Sequence, residues 1–233
     1  MAETLIVNEI FKSIQGESTR AGLPCVFVRL TGCNLRCSWC DTAYAFTQGA
    51  RMTLDEIVNR VAAFGCKLVE ITGGEPLLRS NSLLLMTRLA DLGHTVLLET
   101  SGSLDISLVD SRVIRIMDLK CPSSGECEQN RWENIQMLRA SDEVKFVIAT
   151  REDYDWAKRQ LERWGLPAIC SVLFSWAHPL LPDQRDLALK PAPPDQHPIA
   201  MRQLVEQMLA DKLPVRFQLQ MHKYIWEPTA KGV

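Results

Sequence analysis

The chain lacks a basic surplus. Its 233 residues carry 26 Lys and Arg against 28 Asp and Glu, a net charge of -2, so the charge gives no footprint for a nucleic-acid partner and points to a small-molecule ligand. It also lacks long apolar runs. Stretches such as "SLLLM" (82–86) fall far short of a bilayer span, so no membrane segment is expected. The opening "MAETLIVNEIFKSIQGE" has no basic segment followed by an apolar one, so no signal peptide and a cytoplasmic location are expected. No internal repeat or low-complexity tract is present. The most informative absence is a cysteine. In "LTGCNLRCSWCDT" (30–42), Cys33, Cys37 and Cys40 are spaced C-x3-C-x2-C with no fourth close behind, whereas structural zinc and a cubane iron–sulfur cluster each have four coordination positions to fill.

What is present fits one domain spanning 1–233, because 46% hydrophobic content over this length supports one sizeable core. The eight cysteines, with no export signal, suit a reducing compartment, as metal ligands or buried thiols rather than as a disulfide framework. Apolar runs of strand length alternate with helical periods. Strands are expected at 26–30, 68–72, 95–100, 113–120, 143–149, 168–174 and 215–220, and helices at 53–64, 81–93, 133–140, 153–165 and about 198–210. Thr53 and Glu56 form a capping box, and Gly93 and Gly165 close their helices. This alternation implies an α/β fold with a parallel sheet, either an incomplete barrel or a doubly wound sheet. The Pro-rich stretch 176–198 is expected to be a long surface loop. In such sheets ligands collect at the C-terminal strand ends. The cysteine loop, "TGGEP" (72–76), "ETSG" (99–102), "DLKCP" (118–122), "DEVKF" (142–146) and "QLQMHK" (218–223) all fall there.

The three cysteines admit two readings: a zinc knuckle with a remote fourth ligand, or a cluster whose fourth iron is left open to a small molecule. Soft thiolates suit both metals, so ligand type does not decide. The C-x3-C-x2-C after a strand, followed about 40 residues later by "GGEP", resembles the radical S-adenosylmethionine (SAM) superfamily. The resemblance implies an incomplete TIM-like barrel and one 4Fe-4S cluster held by Cys33, Cys37 and Cys40. It also implies an open iron that chelates SAM, which is cleaved to methionine and a 5'-deoxyadenosyl radical. Gly73, Gly74 and Glu75 then belong to the SAM-binding motif, with Glu75 expected to accept from the methionine ammonium. Trp39 fits an aromatic position near adenine, or simply shields the cluster. Cys40, Asp41, Ser101, Asp118, Leu119 and Lys120 are further SAM contacts by the same resemblance.

"IFKSIQGES" (10–18), "FVRLTGCNLRCSWCDT" (27–42) and "LQMHK" (219–223) together resemble the 7-carboxy-7-deazaguanine synthases, over nearly the whole chain. This implies an abridged β6/α3 core, a homodimer, 6-carboxy-5,6,7,8-tetrahydropterin as substrate, and 7-carboxy-7-deazaguanine and ammonia as products. An electron donor of the flavodoxin or ferredoxin kind is a further implied partner. Ile14, Gln15, Gly16 and Glu17 are expected at the pterin, or in an ordinary polar turn. Arg29 is expected on the substrate carboxylate, or in a structural ion pair. Thr42 is expected on a Mg2+ ion, or as a cap. Thr72, His222 and Pro228 are expected near substrate. Some relatives end at the matching proline, whereas five residues follow Pro228 here. Lys145 is a weaker candidate, and Cys25, Cys66, Cys121, Cys127 and Cys170 read as ordinary thiols. The rivals are another radical SAM enzyme, such as a glycyl-radical activating enzyme, and a non-enzymatic zinc module.

Overall fold

The structure is a computed structural model that describes residues 3–227 and 229–233. Nine strands form one sheet: β1 (Thr4–Ile14), β2 (Pro24–Leu30), β3 (Ala50–Thr53), β4 (Leu68–Gly73), β5 (Thr95–Thr100), β6 (Ile114–Asp118), β7 (Glu143–Ile148), β8 (Ser171–Trp176) and β9 (Arg216–Gln218). Their order is β3-β1-β2-β4-β5-β6-β7-β8-β9. From β2 through β9 every pairing is parallel, while β1 runs antiparallel to both β2 and β3. The edges β3 and β9 do not pair, so the barrel is open. The six strands β2 and β4 to β8, with crossover helices α1 (Leu54–Ala63), α2 (Asn81–Asp91) and α3 (Arg151–Trp164), give the expected β6/α3 core. The short helix α4 (Leu166–Ile169), then α5 (Met201–Ala210), β9 and the single turn α6 (His222–Ile225) extend it. No helix among the described residues is long and apolar enough to cross a membrane.

Local chemistry sets the helix ends. Thr53 accepts from Glu56 N–H while Glu56 returns the bond, and α1 buries Leu54, Ile57 and Val61. Thr150 and Asp153 repeat the device on α3, which therefore begins before the expected 153. Gly165, at φ 59°, closes it. Three expectations need correction. The stretch 133–140 is no α-helix but a 3-10 segment, Trp132–Met137. Its Asn134 side chain is committed to the Gly102 and Leu104 carbonyls, which pins the backbone to the neighbouring loop. Residues 166–169 coil as α4, so the strand expected at 168 starts at Ser171. Strands β1 and β3 were absent from the expected set. The first mixes charged Glu9 and Lys12 into a half-buried alternation, and the second has only four residues.

The helix-facing side of the sheet is the main core, with Val69, Ile71, Val96, Leu98, Val144 and Phe146 fully buried. Strand alternation turns the next residues to the concave face. One part of that face is apolar, packed from Cys25, Phe27, Leu68, Leu97 and Ile116 with Phe11. The rest is polar: Glu70 and Thr72 from β4, Glu99 from β5, Asp118 from β6 and Lys145 from β7. A closed barrel of this size would fill its interior with branched apolar side chains. The open sheet leaves a polar cavity.

Candidate functional site

The loop after β1 crosses this concave face. Gln15 donates through Nε2 to Glu70 Oε2 and accepts Glu17 N–H at 3.1 Å. Glu17 pairs with Lys145 at 2.9 Å and accepts from Gln218 at 3.0 Å and Gln220 at 3.1 Å. Ser18 N–H reaches Gln218, and Thr19 reaches Glu143 at the start of β7. The loop thus ties β4 to β7 and β9 across the opening. A site confined to the C-terminal rim is therefore only part of the picture, because this plug enters from the antiparallel β1.

Lys145 lies at the centre. Its ammonium contacts Glu17, Glu99 and, at 3.5 Å, Asp118. Burial opposes its charge, but Asp118, Glu17 and Glu99 together raise its pKa well above the ordinary lysine value. The same pairing lowers Glu17 despite its burial. Glu70 faces the opposite balance: burial first, then the Glu99 charge, raises it well above the ordinary carboxylate value. Glu70, Glu99, Gln218 and Gln220 were not candidates by sequence. Their strands were visible, and alternation gives each residue a face, but nothing in the sequence said which face lines a cavity.

Cys33, Cys37 and Cys40 are free thiols lining one wall of the cavity. They lie close enough to affect one another's ionisation, and burial raises all three, Cys37 to about 12. Metal must displace those protons. No three His, Cys, Asp or Glu side chains among the described residues gather on a single-ion position. Three thiols on one wall of the cavity suit a cluster in which each sulfur meets its own iron. Gly73 and Gly74 press onto this loop. A Cβ on Gly74 would overlap the Gly32 carbonyl and come within 2.7 Å of Cys33 Cβ. That close approach, rather than a ligand contact alone, requires glycine there.

The expected SAM contacts divide. Trp39, Asp41, Gly73, Gly74, Ser101, Asp118 and Lys120 line the cavity. Lys120 pairs with Asp118 and lies 5.2 Å above the Trp39 ring. Asp118 Oδ1 is buried without a hydrogen bond among the described residues and faces the Lys145 ammonium at 3.5 Å. Glu75 does not line the cavity. It is buried behind the wall, where it accepts from Ser101 N–H at 2.7 Å, Thr100 Oγ1 at 2.9 Å and Leu77 N–H at 3.0 Å. These bonds fix the Glu75 carboxylate against Ser101, which lines the cavity. The Leu119 side chain lies in the core, also away from the cavity.

On the substrate side Ile14, Gln15, Gly16, Glu17, Arg29, Thr42, Thr72 and His222 converge on the same cavity. Arg29 is paired after all. Its Nε donates to Glu9 at 2.7 Å and its guanidinium lies 5.9 Å from the Tyr44 ring, while its Nη atoms make no hydrogen bond among the described residues. Thr72 donates to Glu99 at 3.1 Å. Thr42 sits at the N-cap of the 3-10 turn Ala43–Phe46 without a side-chain cap bond, and its Oγ1 lies 3.8 Å from Cys40 Sγ. Pro228 lies outside the described residues.

Lys223 anchors the chain end to the cluster loop, 2.5 Å from Asp41. Burial would raise Asp41, but Lys223 prevails and holds its carboxyl at about 2. A depressed carboxylate stabilises the fold above its unfolded value of 3.8, and that contribution disappears as pH falls through about 2. Lys223→Met is therefore expected to lower stability by about 2 kcal/mol at neutral pH. Urea titrations should show roughly half that difference at pH 3. A difference that does not depend on pH would rule out this pairing as its source.

A family model for the Radical SAM superfamily matches residues 27–123. A 7-carboxy-7-deazaguanine synthase of Chlorobaculum tepidum is 46% identical over 232 residues, covering 98% of this chain and 97% of the relative. One from Koribacter versatilis is 45% identical, covering 97% and 99%. Among solved structures, the crystal structure of QueE from Escherichia coli superposes with a TM-score of 0.67 at 20% identity, over 94% of this chain and 95% of that one, a likeness of fold. This radical SAM chain, with its three-thiol loop, its glycine pair and its plugged open barrel, belongs to the 7-carboxy-7-deazaguanine synthase family.

Proposed function

We propose that this cavity binds 6-carboxy-5,6,7,8-tetrahydropterin beside SAM and contracts its ring to 7-carboxy-7-deazaguanine, with loss of ammonia. The observation that carries this reading is the meeting of the cysteine wall with the Gln15-Gly16-Glu17 plug in one polar cavity. When bound by Cys33, Cys37 and Cys40, the cluster supplies the electron that cleaves SAM reductively. The chain itself supplies orientation and exclusion of water. Ser101, Asp118 and Lys120 form the SAM side. Gln15 offers an amide that Glu70 and the Glu17 N–H hold in a fixed orientation. Arg29 turns its two Nη groups to the substrate carboxylate. Thr42 Oγ1 is the hard oxygen that would meet Mg2+. His222 packs against Gly16 and holds the plug in place. The family resemblance further supports a single catalytic domain, a homodimer, a cytoplasmic location and a flavodoxin or ferredoxin as reductant.

The test is anaerobic reconstitution with iron and sulfide, followed by SAM, reductant, magnesium and carboxytetrahydropterin, with product read by mass. Product that vanishes in Cys37→Ala supports the proposal. SAM cleavage without carboxydeazaguanine refutes the substrate. For Arg29→Ala, substrate binding is expected to weaken about 10- to 100-fold, the worth of hydrogen bonds to a charged group. Calorimetry without SAM checks this, and unchanged affinity would leave Arg29 with only its Glu9 pairing and Tyr44 contact.

A further inference from the structure

Three residues separate the first two cluster cysteines: Asn34, Leu35 and Arg36. The backbone of Arg36 is held from outside on both sides. Its N–H donates to Glu126 Oε1 at 2.7 Å. Its carbonyl accepts the Lys190 N–H at 2.9 Å. Glu126 and Lys190 are themselves paired, Oε2 to Nζ, at 2.8 Å, and the same ammonium donates to the Gly125 carbonyl at 3.0 Å. One ion pair therefore closes a ring around this peptide. The Arg36 guanidinium completes the arrangement from within, donating to the Cys33 carbonyl at 2.8 Å and the Leu35 carbonyl at 2.7 Å.

Burial gives this ring its meaning. Glu126 is 4% exposed, and Lys190 is its one charged partner among the described residues. A buried carboxylate is costly unless paired and hydrogen-bonded, and here both of its oxygens serve the cluster loop. Lys190 belongs to the partly exposed 176–198 stretch, and its side chain is 47% exposed. That loop, expected from sequence to be mere surface, reaches the cysteine wall at this residue. The geometry points to Glu126 as a positioning residue that holds the Cys33–Cys37 loop in its ligand-bearing shape, with Lys190 latching it. The inference rests on the cluster reading, and it assigns the cluster's retention to residues outside the cysteine motif.

The test measures iron release from anaerobically reconstituted protein to a ferrous chelator, alongside thermal unfolding of the iron-free chain. Glu126→Ala is expected to release iron about tenfold faster, the worth of one hydrogen bond to a charged group. Glu126→Gln keeps an acceptor for the Arg36 amide and should restore most of the retention. Lys190→Met, which leaves the buried Glu126 without its cation, should release iron severalfold faster and lower the unfolding temperature of the iron-free chain somewhat, whereas Lys190→Arg, which keeps the charge, should retain iron as the wild type does. If Glu126→Ala does not fold, Lys190→Met decides alone. Release as slow as in the wild type from Lys190→Met, or a lowered unfolding temperature with unchanged release, overturns the latch. A wild-type chain that takes up no iron overturns the cluster reading itself.

Discussion

Lys145→Met is expected to cost the fold about 3 to 5 kcal/mol, the usual toll for removing one partner from a buried ion pair. The reason is arithmetic of charge. Lys145 is the ammonium shared by Glu17, Glu99 and Asp118, and its side chain is 4% exposed. Methionine keeps most of the volume and removes the charge, so the loss is electrostatic rather than a cavity effect. The pH dependence identifies it. In the wild type Glu17 is depressed below 4.5, so its contribution is present above that value and is lost on acidification. Without Lys145, Asp118 keeps its Lys120 partner, but Glu17 loses its main opposing charge and burial raises its value. A raised carboxylate loses stability as pH climbs above its unfolded value. The deficit of the variant should therefore be smallest at pH values well below 4.5, where Glu17 is protonated in the wild type as well, and grow toward pH 8, read by urea unfolding of both chains. The raised value of Lys145 itself adds no slope here, since its contribution is lost only above the ordinary lysine range. A deficit that is constant with pH would mean that packing, not charge, was lost.

Gly16→Ala is expected to lower kcat/KM about 100-fold, because it displaces the plug on the scale of an ångström. Gly16 does not need glycine for its dihedral angles, since its φ is not positive. It needs glycine for proximity. A Cβ there would overlap His222 Nδ1 and sit 3.1 Å from both the His222 ring and its backbone nitrogen. The Gly16 carbonyl meanwhile accepts the Met221 N–H at 3.0 Å, so the two segments cannot simply part. A stability loss of about 1 to 3 kcal/mol should accompany the rate effect, as for overpacking elsewhere. A double-mutant cycle with His222→Ala tests the mechanism. Strong coupling is expected because the two residues touch, and additive effects would show that the methyl acts elsewhere.

The parallel fold was legible because its strands read as nearly continuous apolar runs alternating with helical periods, and the first helix carries a capping box at Thr53, whereas the one at Thr150 went unread. The cysteine wall was legible because thiol spacing is itself chemistry. Other features were hidden for physical reasons. Strand β1 pairs at the side of the sheet and mixes charge with apolar residues, so its pattern resembled no buried strand. The setting of Glu75 was hidden because its partners Thr100 and Ser101 are distant in sequence. Lys145 read only as a weaker candidate because its partners, which come from β5, β6 and the loop after β1, are distant in sequence. Periodicity reports which face a residue takes, but not what waits across a concave sheet.

The plug also orders events in time. Glu17 and Gln220 are 203 positions apart, and Thr19 and Glu143 are 124 apart. Contacts of such span are formed against the entropy of closing a long loop, and they form late. The half barrel from β2 to β8 can assemble from neighbouring strands without them. The last step is then the arrival of β9 with the loop after β1, which seals the cavity. A chain interrupted before that step would hold the cysteine wall but no chamber. The protein thus completes its enclosure only with its final strand, so a reactive radical is generated beside a finished wall rather than in open water.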